Sequence, residues 1–246
     1  MKNKKLLIIL VICVVAAVIV AVVVGVNLNK NSEDDELIAQ FIEDLDGRKG
    51  EDIVEEDDDM DRAIKGNGNS KLICYPTTSS DLSPNYSPRT HKIDTITIHM
   101  TGGQLPIETI GKIYRESKSQ ASSNYGIGPD GRIGMYVEEK NRSWSSSNAQ
   151  NDNRAVTIEV SSDAYAPYKV NDATYESLIE LVTDICKRNN IKKLVWSTDK
   201  NERINHLNGA NMTVHSDFAN KKCPGEYLYE HMGDIANKVN EKLGVK

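Results

Sequence analysis

Apolar and polar positions along residues 71–246 follow two periods, one typical of helices and one typical of strands. In Asp172–Asn189 apolar residues recur every three or four positions, which predicts a helix with one buried face. Pro106–Ser119 opens with proline at a first helical position and has similar spacing, and Glu226–Leu243 is predicted to form a closing helix. Short β-branched or apolar runs predict strands at Lys92–Met100, Ser122–Ile127, Ile133–Glu138, Ala155–Val160, Lys193–Ser197 and Met212–His215. Strands that alternate with helices in this way predict one α/β domain with a covered sheet.

The longest apolar run lies near the N-terminus. Leu6–Val26 contains 21 residues without a charge, which as a helix would extend about 30 Å, the thickness of a bilayer's hydrocarbon core. A cleaved signal peptide would have a shorter apolar region and a small-residue cleavage site, and no such site follows this run. Three lysines precede it, which favours an N-terminus inside the cell. Residues 1–27 are therefore predicted to form a cytoplasmic stub and a single-pass transmembrane anchor at the cell membrane, with the remainder outside.

Residues 28–70 are predicted to be an acidic, largely disordered linker. Residues 33–62 contain fifteen Asp and Glu against three Lys and Arg, a composition too charged to form a core. Glu36–Leu45 places apolar residues on one helical face, which indicates either a transient helix or a helix that docks on a partner. Residues 71–246 carry a net charge of only +1, so the folded part lacks the basic excess that binding to nucleic acid requires.

The cysteines lie at wide and irregular spacing, which excludes a disulfide-dense scaffold. Cys74 and Cys186 could pair outside the cell. Cys186 falls on the apolar face of a predicted helix, however, and is expected to be a buried thiol.

Two histidines and one cysteine could form a metal site. His99 ends a predicted strand before a Gly-Gly loop, His215 closes another, and Cys223 follows eight residues later. Two imidazoles and a thiolate would leave the fourth tetrahedral position open, which is the pattern of a catalytic zinc site. Lys221 would favour the thiolate. Histidines at strand ends are more often ordinary surface residues, so spacing alone leaves both interpretations open.

Four ordered segments are similar to motifs of one enzyme family. IHMTGG, SSNYGIGPDGRIGMYVEE, NRAVTIEV and VHSDFANKKCPGEY resemble the type 2 N-acetylmuramoyl-L-alanine amidases, a superfamily that includes phage lysozyme-type amidases and peptidoglycan recognition proteins. The resemblance extends over about 93–229. It implies a single mixed sheet flanked by helices, and a Zn2+-dependent hydrolase that cleaves the amide bond between N-acetylmuramic acid and L-alanine in cell-wall peptidoglycan.

Matched position by position, the resemblance implies roles for five residues. His99, His215 and Cys223 correspond to the zinc ligands. Glu159 corresponds to a strand glutamate that acts as general base, and Lys221 to a catalytic lysine.

The family's catalytic tyrosine and substrate-side motif are both altered in this chain. Ser123 occupies the tyrosine's position, and Tyr125 is predicted to point to the other side of the strand. The family's W-H-A-G appears here as W-S-S-S from Trp144 to Ser147. We expect Trp144 and Asn124 to contact substrate, although Trp144 could equally be a core residue.

A second hypothesis is a non-catalytic peptidoglycan-binding module of the recognition-protein type. Such modules typically lose the cysteine ligand, so Cys223 favours the enzyme. Under either hypothesis we expect residues 71–246 to be a monomeric domain that meets peptidoglycan on the cell-wall side of the membrane.

Overall fold

The computed structural model describes residues 72–75 and 79–245. The predicted membrane anchor at 1–27 and the predicted linker at 28–70 lie outside the described residues, and both stay predictions. Within the described part of the chain, no helix has the length and apolar character needed to cross a membrane.

In the described part of the chain, six strands form one mixed sheet in the order β1-β5-β4-β7-β3-β8, in which only β4 and β5 pair antiparallel. These strands are β1 (Ile73–Tyr75), β3 (Thr95–Met100), β4 (Tyr125–Ile127), β5 (Ile133–Met135), β7 (Ala155–Val160) and β8 (Met212–Val214). A separate antiparallel pair, β2 (Tyr86–Pro88) and β6 (Asn141–Ser143), forms a second small sheet that the sequence did not predict. The predicted α/β class with a mixed, mostly parallel sheet is confirmed.

Five helices accompany the sheets within the described residues: α1 (Ile107–Arg115), α2 (Ala149–Arg154), α3 (Asp172–Arg188), α4 (Lys200–Asn205) and α5 (Gly225–Leu243). The three long ones were predicted, although α1 ends at Arg115 and a separate 3-10 turn occupies Ser117–Ser119. Helices α2 and α4 have six residues each, too few for a clear helical period.

One predicted strand, Lys193–Ser197, is wrong. The segment is not part of a ladder because two asparagines take its hydrogen bonds instead, mainly through their side chains and in one case through the Asn211 N–H, which donates to the Val195 carbonyl. The Leu194 N–H donates to Asn240 Oδ1, whose own amide donates back to the Leu194 carbonyl, both at 2.8 Å. The Val195 N–H donates to Asn211 Oδ1 at 2.8 Å. Side chains that mimic a neighbouring strand satisfy these backbone groups without a further strand in the sheet.

The sheet has one apolar face. Alternate residues of β3, β7 and β8, such as Ile98, Ile158 and Val214, point to this face and are fully buried. They form a single core with the apolar sides of α3 and α5. Cys186 is a buried free thiol within this core, as its place on the apolar helix face predicted.

The opposite face of the sheet is polar and equally buried. Thr97, Thr157 and Thr213 occupy the alternate positions of β3, β7 and β8 and have no exposed surface. Thr97 Oγ1 and Thr213 Oγ1 lie 2.8 Å apart, and the amide of Asn151 bonds to both hydroxyls. These bonds satisfy hydroxyl groups that would otherwise be costly to bury.

A buried ion pair fixes the chain after β8. Arg203 and Asp217 have side-chain exposures of 2% and 0%, and two guanidinium nitrogens donate to the carboxylate at 3.0 and 2.6 Å. The guanidinium also lies 4.4 Å from the ring centre of Trp196. Asp217 accepts the Val214 N–H at 3.1 Å, so the pair holds the 3-10 turn His215–Asp217 that directly follows the strand.

We predict that Asp217→Asn destabilises the domain by about 3–5 kcal/mol, because it leaves the Arg203 charge buried without its counter-charge. Chemical denaturation followed by circular dichroism measures this loss. Glu180→Gln is the control, since it breaks the exposed pair between Lys242 and Glu180 and should cost less than about 1 kcal/mol. Equal losses for the two variants would contradict the structural role of the buried pair.

Candidate active site

The polar face of the sheet brings two of the predicted ligands together. His99 lies two residues after Thr97 on β3, and His215 lies two residues after Thr213 on β8. Thr97 and Thr213 are register partners on these neighbouring parallel strands, so both histidines leave the sheet at the same edge and on the same face. Their ring centres lie 5.0 Å apart in an edge-to-face arrangement.

Cys223 completes the cluster from the loop before α5. Its Sγ lies 3.5 Å from Nδ1 of His99 and accepts the Met100 N–H at 3.4 Å. The loop is tied back to the strand end by the Ser216 N–H, which donates to the Cys223 carbonyl. All three side chains are buried, and their ligand atoms lie within 4.8 Å of one another.

These residues fit a zinc ion. Zn–S and Zn–N bonds of about 2.3 and 2.1 Å at a tetrahedral angle place sulfur and nitrogen about 3.6 Å apart, close to the observed 3.5 Å between Cys223 Sγ and His99 Nδ1. Two imidazoles with one thiolate are also a donor set that zinc accepts in catalytic sites.

Glu159 lies on the strand next to His99. The two are register partners on β7 and β3, so they share the polar face at the distance that separates neighbouring strands. Glu159 is fully buried, and its Oε1 accepts a hydrogen bond from the Tyr114 hydroxyl of α1 at 3.0 Å. Tyr136 packs beside Tyr114, and burial, with a further contribution from Tyr75 and Glu159, raises the pKa of Tyr136 well above its usual range.

Lys221 lies two residues before Cys223 in the same loop and is half-buried. Its backbone N–H donates to the Ala219 carbonyl at 2.9 Å, which is part of the tight fold of this loop. The structure thus places Lys221 in the segment that supplies the cysteine ligand.

The W-S-S-S segment forms a loop over the two histidines. Ser145 Oγ lies 3.1 Å from Nε2 of His99, and Ser147 Oγ lies 3.4 Å from Nε2 of His215. Trp144 is half-buried beside the loop, and its indole N–H donates to Ser87 Oγ in the small sheet at 2.9 Å.

Asp152 of α2 holds this loop in place. Its carboxylate accepts the backbone N–H groups of Ser145 and Ser146 at 2.9 to 3.2 Å. Burial raises the pKa of the Asp152 carboxyl, and these hydrogen bonds counteract part of the rise.

Asn124 does not lie at a surface that substrate could contact. It is fully buried, its amide donates to the Val137 carbonyl at 3.2 Å, and its oxygen accepts the Thr157 N–H at 3.2 Å. It therefore joins β7 to the residues after β5, which is an internal structural role that differs from the predicted contact with substrate.

Tyr125 lies on the apolar face, opposite Glu159. It is the register partner of Ile158, and its hydroxyl donates to Glu139 at 2.8 Å within the core. Ser123, which occupies the position of the family's tyrosine, has its hydroxyl 3.1 Å from Thr157 Oγ1 on the polar face.

Residues 89–226 match the family described as N-acetylmuramoyl-L-alanine amidase. The match covers more than half of the 246-residue chain. The chain belongs to this family. The family and the enzyme class that the four motifs predicted are thereby confirmed. No curated protein matches the chain significantly.

Several solved structures are similar to this amidase. PlyL is 18% identical over 64% of this chain and 92% of its own, with a TM-score of 0.47. The endolysin LysCS from Clostridium intestinale URNW is 21% identical over 73% of this chain and 95% of its own, with a TM-score of 0.43. AmpD is 18% identical over 63% of this chain and 92% of its own, with a TM-score of 0.48.

Sequence reasoning missed several residues that shape this amidase site. Tyr114 had no local motif, since it reaches the site from a helix distant in sequence. Asp152 lies close in sequence to the loop it holds but belonged to none of the motifs. Ser145 and Ser147 carried a signal in their place within W-S-S-S, where the family has W-H-A-G.

Proposed function

We propose that this amidase uses Zn2+ to hydrolyse the amide bond between the lactyl group of N-acetylmuramic acid and L-alanine in peptidoglycan. The observation that carries the proposal is the buried cluster of His99, His215 and Cys223 within the segment that matches the family. These three residues would hold the ion. When bound, zinc supplies Lewis acidity: it lowers the pKa of water to about 7 and polarises a carbonyl oxygen.

Glu159 is the proposed general base. Its carboxylate removes a proton from the attacking water as the oxygen adds to the lactyl carbonyl carbon. It then delivers that proton to the L-alanine nitrogen as the C–N bond breaks, which yields a carboxylic acid and a free amine. Its burial on the polar face next to His99, and the hydrogen bond from Tyr114 that orients Oε1, support this role.

Lys221 is the proposed oxyanion donor. Its ammonium group carries only donors, so it can stabilise the negative charge that develops on the carbonyl oxygen. Its place in the half-buried loop that supplies Cys223 supports this role. Trp144, half-buried beside the serine loop, is proposed to border the bound peptide, whereas the internal bonds of Asn124 remove it from the proposal.

A binding module without activity is the weaker alternative. A module of that type needs no zinc ligand at Cys223, yet here the thiol lies in contact with His99 at the spacing that zinc requires. A buried carboxylate beside the ligands also serves no purpose in binding alone.

The sequence supports a location at the cell surface. We propose that the apolar run at 6–26 anchors the chain in the membrane and that the acidic segment at 33–62 separates the anchor from the enzyme. The catalytic domain then acts on the cell wall while it stays tethered, as a monomer.

Removing any one ligand should remove the metal. We predict that His99→Ala, His215→Ala and Cys223→Ser each reduce bound zinc to a small fraction of one equivalent and abolish release of peptides from purified sacculi. Elemental analysis and an assay of newly exposed amino groups measure the two effects. His91→Ala and Cys74→Ser, at exposed positions, are matched controls and should retain both. Full activity in a zinc-free preparation would refute the metalloenzyme.

Two further variants separate metal binding from catalysis. Glu159→Gln should lower kcat by about 10²- to 10⁴-fold and Lys221→Met by about 10²- to 10³-fold, with near-stoichiometric zinc in both. Lys222→Met, at the exposed neighbouring position, and Tyr125→Phe, on the opposite face of the sheet, should stay close to wild type. Normal turnover in Glu159→Gln would eliminate the proposed base.

The topology can be tested on wall-stripped cells. Protease added from outside should digest the domain at 71–246, because the lysines before the apolar run favour an internal N-terminus. An internal protein and an external protein serve as controls. Protection of the domain would show that the orientation is the reverse of the proposed one. A shortened soluble form in the medium would indicate signal cleavage.

A further inference from the structure

The serine loop contacts both histidines at Nε2, and the other ring nitrogen of His99 faces Cys223. His99 has Nε2 against Ser145 Oγ and Nδ1 against Cys223 Sγ, on opposite sides of one imidazole. His215 has Nε2 3.4 Å from Ser147 Oγ, and it belongs to the same buried ligand cluster. Two hydroxyls from one short loop therefore meet the outer nitrogens of both rings.

We propose that Ser145 and Ser147 are positioning residues that accept the Nε2–H groups of His99 and His215 and so direct both Nδ1 lone pairs at the metal. The inference rests on the proposed zinc site and adds to it the tautomer and orientation of each ligand. It also gives the W-S-S-S sequence a function at the place where the family's motif is altered.

A hydroxyl at one nitrogen of an imidazole influences which nitrogen can bind a metal. A neutral histidine carries one proton on either ring nitrogen, and only the nitrogen without the proton can bind a metal. A hydroxyl that accepts from Nε2–H favours the tautomer with a free lone pair on Nδ1. Partners of this kind are usual for metal-binding histidines and also fix the angle of the ring.

The loop is held firmly enough to serve this purpose. Ser145 is fully buried, and Asp152 accepts backbone N–H groups from Ser145 and from Ser146. Asp152 itself belongs to α2, whose first turn is capped by the Asn148 side chain. Ser147 adopts φ +61°, a left-handed conformation that turns the chain back toward α2. The hydroxyls thus project from a backbone fixed by a buried carboxylate.

Ser146 provides a matched control within the same loop. It is buried like Ser145, but its hydroxyl bonds to the Asn148 carbonyl and to the amide of Asn151, neither of which binds metal. Ser146→Ala therefore removes loop hydrogen bonds without touching a histidine. A purely structural role of the loop would make this variant as harmful as Ser145→Ala.

The first measurement needs no variant of the loop. Long-range 1H–15N spectra of the full chain, 15N-labelled and purified in mild detergent, report the protonated nitrogen of each imidazole. We expect His99 and His215, assigned by their single replacements, to be protonated at Nε2 both in the zinc-free and in the zinc-loaded protein. Protonation at Nδ1, or zinc bound through Nε2, would overturn the inference.

The second measurement is the zinc affinity of the full chain in competition with a chromogenic chelator. Ser145→Ala should raise the Kd for zinc by about 10- to 100-fold, and Ser147→Ala by less than about tenfold, because its contact is longer. Ser146→Ala should stay within about twofold of wild type. Thermal unfolding of the zinc-free proteins shows whether each variant is folded, and the wild-type spectra decide the case if one is not.

Different results would refute the proposed zinc-dependent function and the proposed roles of the two serines. If wild type takes up no zinc, or hydrolyses peptidoglycan equally well without it, the proposed function falls and the serine roles fall with it. If wild type binds and requires zinc but Ser145→Ala matches either wild type or Ser146→Ala in affinity, the positioning role alone is refuted.

Discussion

Each polar group on the buried polar face of the sheet needs a hydrogen-bond partner. The elements that supply these partners surround the site. The threonines of β3, β7 and β8 would each cost stability in an apolar interior. Thr97 and Thr213 bond to each other and to Asn151 of α2, and Thr157 bonds to Ser143 of the small sheet. The short helix, the serine loop that precedes it and the small sheet therefore form the second layer of the fold, opposite the apolar core.

The same alternation determines what can take part in chemistry. His99 and Glu159 continue the polar positions of their strands, so they emerge side by side, whereas Tyr125 follows the apolar register and is enclosed with Ile158. A shift of one residue along β7 would exchange Glu159 for an apolar side chain. The accuracy of the site thus depends on strand register, which the apolar core on the other face maintains.

Most of the fold and the ligand cluster could be predicted from the sequence, and the features that could not be predicted share a physical reason. Long helices such as Asp172–Arg188 and the strand Ala155–Val160 were found from periodicity, and the ligand cluster from ordered motifs. The misassigned strand at 193–197 has strand-like composition but bonds to Asn240 and Asn211, which lie far along the chain. Tyr114 reaches Glu159 across a similar separation in sequence. Local patterns carry little information about such distant partners, and the predicted membrane anchor lies outside the described residues.

The ligand cluster has a consequence for how the fold is held together. Among the described residues, strand β8 is an edge strand of three residues that pairs only with β3, and Cys223 lies on the loop just beyond it. An ion held by the three ligands would bind the native arrangement and not the open chain, so it would fasten this edge to the centre of the sheet. When the free zinc concentration is a hundredfold above the Kd, zinc binding adds about 2.7 kcal/mol to the free energy of unfolding. The persistence of the folded enzyme would then follow the supply of zinc in its surroundings.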